Sequence, residues 1–249
     1  SSEPEMTYAD LGSEEYPQKF YMEYVPCNTG QNWSPENFNT DMLPEWQDLL
    51  VETNSTLVEA FGIGFEGEKP EGTEEDGYWQ LLWNSKEDAE AGWETWEGYD
   101  KTADWAEANA DILACGSKAD TFSFDAYVRR SRDGLGTFDL TDFSSEYQFC
   151  AYNEGQGVDE LISVIDDFED WLVSDENSLD SPYTYVVLAP DYETEEFDLA
   201  WGNFHQSKEM REAGLANFLD TAPEIQEAFD KVLSCQEPNG FNSGQIPLI

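Results

Sequence analysis

The stretch Phe197–Gly214, FDLAWGNFHQSKEMREAG, decides how this chain is read, because Tyr78–Gly92, YWQLLWNSKEDAEAG, repeats its order of parts. Each begins as an apolar strand containing Trp, turns a polar corner and opens a charged helix that reaches Ala-Gly. Trp83 is matched with Trp201, Ser85 and Lys86 with Ser207 and Lys208, and Ala91-Gly92 with Ala213-Gly214. This match leaves Gly202–Gln206 as an inserted corner, and that corner holds His205, the one His of the chain. One module used twice accounts for the pattern.

Outward from these junctions the order of elements also repeats. Lys19–Cys27 alternates apolar and other residues as a strand does. Ser34-Pro35-Glu36 then starts a helix whose Phe38, Met42, Leu43, Trp46, Leu49 and Leu50 recur on one face. Strands follow at Thr56–Glu66 and Tyr78–Trp83, helices from Ser85 and from near Thr102 to Cys115, and a strand at Thr121–Arg129. The second series runs through Tyr147–Asn153, a helix carrying Val158, Leu161, Ile162, Ile165, Phe168 and Leu172, strands at Tyr183–Ala189 and Phe197–Trp201, and two more helices. Its last strand is expected in the tail from Gly240. Asn153-Glu-Gly-Gln156 echoes Asn28-Thr-Gly-Gln31 at an offset of 125 residues, which also carries Trp46 to Trp171. The expected organisation is an extended arm over 1–18, a first repeat over 19–130, a linker over 131–145 and a second repeat over 146–249.

A βαββαβ unit makes a four-stranded antiparallel sheet with helices on one face, the ferredoxin-like arrangement. Two copies can cover each other's open sheet faces. The fold class read from the sequence is therefore α+β, two tandem ferredoxin-like repeats forming an intramolecular α+β barrel. Leu82-Trp83-Asn84-Ser85-Lys86-Glu87-Asp88, and more loosely Leu199-Ala200-Trp201 with Ser207-Lys208-Glu209, resemble the strand-to-helix junction of the dimeric α+β barrel superfamily. That superfamily includes antibiotic-biosynthesis-type monooxygenases, stress-responsive A/B barrel proteins and NIPSNAP-like and EthD-like proteins. The resemblance implies a pocket between sheet and helices and no single chemistry.

Lys plus Arg number 11 against 55 Asp plus Glu, a net charge of −44 spread along nearly the whole chain. Such a surface repels itself in dilute salt and is relieved by screening or bound cations, which is the setting of a marine or halophilic organism. With no basic stripe, nucleic acid is not an expected partner. No run of 18 apolar residues spans a membrane. The start at Ser1 without Met is read as a mature chain after removal of a signal peptide.

Four cysteines allow three pairings, and the duplication selects Cys27–Cys115 and Cys150–Cys235, one bridge in each repeat. Bridged cysteines place the chain in the periplasm or outside the cell; four buried thiols in a reducing compartment are the alternative. Their spacing does not suit zinc, and the acidic loops Glu71–Asp76 and Asp133–Asp142 lack an EF-hand pattern, so no metal site is assigned.

The candidate site residues fall into three groups. His205 would be the iron ligand if the chain bound haem as some relatives in the resembled superfamily do, although its corner aligns with no ligand position and an exposed loop His is the plainer reading. Trp83, Trp93, Trp96 and Trp201 could line a cavity for an apolar ligand, against a reading as core; Trp93 and Trp96 are not expected to face the same core. Arg129, Arg130 and Arg132 gather three of the chain's four arginines where an anion or an acidic neighbour would dock. No P-loop, GxGxxG, HExxH or nucleophile elbow occurs.

The expected function is accordingly a non-catalytic binding or interaction protein, holding a small apolar ligand or a protein neighbour, with no cofactor. The alternatives are a cofactor-independent monooxygenase or a haem enzyme of the resembled superfamily, and a structural subunit of an extracellular assembly. The charge makes its own prediction. The melting temperature should climb steadily from low to molar NaCl, and a thermal scan indifferent to salt would contradict the self-repulsion argument.

Overall fold

The structure, a computed structural model, describes residues 19–128, 137–179 and 181–248. The arm at 1–18, Arg129, Arg130 and Arg132, and residues 131–136 of the expected linker lie outside the described residues. Two compact units emerge, one of Phe20–Asp125 with the C-terminal segment from Phe241 and one of Ala126–Gly240 with Lys19. The C-terminal strand thus counts with the first unit, whereas the sequence reading put it in the second. The reason is its pairing: over Phe241–Ile246 it runs antiparallel to a first-unit strand.

In the first unit β1 (Lys19–Thr29) is followed by a helical turn, α1 (Pro35–Asn37), a π-helical turn at Phe38–Met42 and α2 (Leu43–Glu52). Then come β2 (Glu59–Phe65), β3 (Gly77–Trp83), α3 (Lys86–Glu97), α4 (Asp100–Asn109), β4 (Leu113–Cys115) and β5 (Phe122–Tyr127). The second unit contains β6 (Phe143–Tyr152), α5 (Val158–Leu172), β7 (Tyr183–Pro190), β8 (Leu199–His205), α6 (Lys208–Thr221), α7 (Pro223–Val232) and β9 (Leu233–Cys235). The last strand is β10 (Asn239–Ile246), beside β2. In the first unit β3 lies between β2 and β1, and in the second β8 lies between β7 and β6, all antiparallel.

Serines start the helices where the sequence put them. The side chains of Ser34, Ser85 and Ser207 accept from the backbone N–H three residues on, at Asn37, Asp88 and Met210. A second repeated device holds the start of β3 and β8. The Asp76 carboxylate accepts from the Thr29 N–H at 3.0 Å while the Asp76 N–H donates to the Cys27 carbonyl; Asp198 does the same with Tyr152 and Cys150.

Both disulfides form as the duplication required, Cys27–Cys115 and Cys150–Cys235. The structure adds what the helical reading of these segments missed. Cys115 and Cys235 sit on the three-residue strands β4 and β9, directly opposite their partners on β1 and β6. So short a strand has few ladder bonds of its own, and the covalent link holds it in register. No helix among the described residues is long and apolar enough to cross a membrane.

Each bridge closes a loop, spanning 88 residues in the first unit. Replacing Cys27 and Cys115 together by Ser should cost about 4 kcal/mol in the chain-entropy account, measured by urea unfolding. A loss below about 1 kcal/mol would show that β4 is held without the link.

Candidate functional site

The layer between sheet and helices in the first unit contains a cavity of about 180 Å³. Trp46, Trp79, Trp83, Trp93, Trp96 and Trp105 line it, with Met42, Leu57 and Leu81 among the aliphatic positions. It is partly open, and Ala106 at its rim is exposed. Trp83, Trp93 and Trp96, proposed from sequence as a ligand surface, are brought together here. Trp93 and Trp96 face the same space, contrary to expectation, because one helical turn separates them and the cavity is wide enough to touch both.

Behind two of these indoles lies Glu23, with no exposure to solvent. Its Oε2 accepts from the Trp83 Nε1–H at 2.9 Å and the Trp93 Nε1–H at 2.7 Å. Its Oε1 accepts from Lys118 Nζ and, at 3.3 Å, from Ser123 Oγ. A buried carboxylate needs such partners, and satisfying it fixes both ring planes that wall the cavity. Glu23 was not singled out from sequence, being one acid of 55. The signal was its place in KFYMEYVPC, in phase with Tyr21, Val25 and Cys27, which face the helices.

The two units match without a gap when counted back from the cap residues Ser85 and Ser207. Trp79 then answers to Trp201, and Trp83 to His205. The inserted corner read from sequence does not exist, since Gly202–His205 are strand residues of β8. Nor is His205 an exposed loop residue; it ends β8 and is 8% exposed. Glycines confirm the match. A Cβ on Gly92 would lie 2.6 Å from the Trp83 ring, and one on Gly214 would lie 3.1 Å from His205 Nε2, so each helix approaches the strand-end ring through a glycine.

The same register shows where the two interiors differ. Tyr185 in β7 pairs with Asn203 and stacks on Trp201 at 4.7 Å, while the matching position in β2, opposite Leu81, is Ala60. Phe229, four residues before β9, packs on Trp201 at 5.5 Å, while Asn109 stands four residues before β4. Trp201, assigned from sequence to the ligand surface, therefore belongs to a filled aromatic core in the other unit and does not line this cavity.

His205 has the character of a metal donor. Its Nδ1 is buried with no hydrogen-bond partner among the described residues, and burial, with the nearby Arg211 charge, lowers its pKa to about 4. The His205 ring rests on Tyr183 at 4.9 Å, and next to Tyr183 Phe168 has the rings of Trp171, Tyr183, Tyr185, Trp201, Phe218 and Phe229 within 6.3 Å. The first-unit cavity has no His in its lining and is of a size for a small ring system. His205 suits haem as a donor; the tryptophan-walled cavity, without such a donor, does not.

No protein-family profile matches the chain, and a search of curated proteins finds no match. Solved structures do match in shape. Chlorite dismutase from Candidatus Nitrospira defluvii in complex with imidazole has a TM-score of 0.54 at 8% identity, over 92% of this chain and 92% of that one. A mutant of the same enzyme in complex with cyanide gives 0.54 at 8% identity, over 98% and 96%. A third, a double mutant, gives 0.52 at 8% identity over 92% of each. What this likeness shows is the fold, the ferredoxin-like α+β barrel class read from the sequence. The neighbours are enzymes, which overturns the expectation of a non-catalytic binding protein.

A histidine kept neutral by folding has a sign that can be tested. The unfolded chain binds a proton near pH 6.5 that the folded chain refuses until about 4, so stability is whole above this window and declines as pH falls through it. Taken from about pH 7 to about pH 4, the protein should lose about 3 kcal/mol more than His205→Leu does, by urea unfolding. Equal losses would show that His205 does not carry the effect.

Proposed function

We propose that the chain is an enzyme of the α+β barrel class whose substrate occupies the tryptophan-walled cavity of the first unit, acting as an oxygenase without a bound cofactor. The observation that carries this reading is the cavity itself, walled by six indoles in one copy of a duplicated core whose counterpart packs its central tryptophan among rings. Indole and aliphatic walls exclude water from a substrate and hold it in one orientation. Glu23 acts through the rings it fixes, as a positioning residue. In such an oxygenation the substrate supplies the electrons. One atom of O₂ enters the product, and the other leaves as water with two hydrogens taken from the substrate. The two disulfides support the periplasmic or extracellular setting.

A second reading, a haem enzyme ligated through His205, is favoured by one observation, the buried and unpartnered Nδ1. The tryptophan-walled cavity, which has no such donor, has no part in that reading. The two separate cleanly by experiment. Oxygen uptake with a panel of cyclic aromatic substrates bearing an activated methylene group, with label from ¹⁸O₂ in the product, is the expected result. Ala106→Phe, which blocks the rim, should abolish the uptake with unchanged circular dichroism. A stoichiometric Soret band on titration with haemin that is lost in His205→Ala, with no uptake in its absence, would instead establish the haem reading.

A further inference from the structure

Trp79 is 5% exposed and lines the cavity, and its Nε1–H has no acceptor among the described residues. A buried N–H left without a partner is costly, so native structures rarely keep one without reason. The duplicate shows what a partnered version looks like. Trp201, at the matching place, donates its Nε1–H to Asn203 Oδ1 at 2.9 Å. Counted from the cap serines, the residue that matches Asn203 is Leu81, whose side chain has no acceptor to offer. The same unit has Ala60 where the other has Tyr185, the ring stacked on Trp201. The first unit has thus lost both things that complete this tryptophan in the second: a ring over its face and an oxygen at its N–H.

From the missing acceptor and the indole walls of the cavity we infer the ligand: a planar, neutral aromatic molecule of one or two rings, carrying a carbonyl or phenolic oxygen that accepts the Trp79 Nε1–H. The volume agrees, since an apolar cavity of about 150 Å³ holds a benzene ring and this one is about 180 Å³. Trp46, whose ring is 4.9 Å from that of Trp79, and Phe38, at 5.9 Å, hold the donor ring in place. A charged ligand is disfavoured, because no charged side chain lines the cavity, its two hydroxyls, Thr53 and Ser55, already bond backbone groups, and the nearby carboxylate of Glu23 already has its donors. Trp79 is on this account the residue that determines specificity. The inference rests on the first-unit cavity being the substrate site and deepens that reading.

The test compares 1-indanone with indane, near-isosteric bicycles that differ by the carbonyl oxygen, in calorimetric titrations of the whole chain. The intact protein should bind 1-indanone about fivefold more tightly than indane, the worth of one neutral hydrogen bond. Trp79→Phe keeps a ring and removes the N–H, so the preference should vanish while indane binding stays within about twofold. Ala106→Phe, at the exposed rim, should remove both affinities without altering the circular dichroism spectrum. Equal affinities for the two bicycles, a preference that survives in Trp79→Phe, or no binding of either would each overturn the inference. Binding with the expected preference but no oxygen uptake from any substrate would overturn the proposed reaction and leave the ligand assignment standing.

Discussion

A carboxylate sealed from water sets the terms for the first unit. Glu23 holds Trp83 from the sheet and Trp93 from the helix above it on a single oxygen, and takes Lys118 and Ser123 on the other. Remove that acceptor and two indole N–H groups and an ammonium lose their common partner at once, a change that costs several kcal/mol at buried sites. The walls of the cavity are therefore fixed by hydrogen bonds of defined direction, whereas apolar packing alone would let the rings turn. The second unit places Glu146 on the matching strand, and there its partner is Arg211 at 3.3 Å. Same frame, different use of the charge.

Duplication makes this divergence readable, because each unit serves as the control for the other. Where the second has Tyr185, Phe229 and His205, the first has Ala60, Asn109 and Trp83. Two of these changes remove a ring from around the central tryptophan. The frame itself is untouched: the capping serines, the paired aspartates Asp76 and Asp198, the glycines facing the strand-end rings and both disulfides recur. Backbone devices are shared and interior side chains are not, which is the pattern expected when one copy acquires a site and the other keeps the core.

Most of the frame was legible in the sequence because its signals are local. Helical periodicity in Leu161–Leu172, capping at Ser85 and Ser207, and the even placement of four cysteines each report on a short piece of chain. The candidate site was only partly legible. Trp83, Trp93 and Trp96 stand out in the sequence, but matching Trp83 to Trp201, tryptophan to tryptophan, slides the register of β8 and makes His205 a loop residue. Anchoring on the serines instead removes the gap. Glu23 and the unpartnered N–H of Trp79 depend on which atoms meet across strands 60 residues apart, and no one-dimensional pattern reports that. The strands β4 and β9 escaped for the same reason: three residues are too few to show alternation.

The hollow has a thermodynamic side. Wall atoms that border an open space lack partner atoms on that side and forgo the contacts that the rings around Trp201 make in the second unit. The Cys27–Cys115 link ties β1 to the strand following α4, whose residues Leu113–Cys115 belong to that wall. The crosslink therefore restrains the chain at the side of the cavity where packing restrains it least, and in the second unit the equivalent crosslink acts on a core with its rings in place.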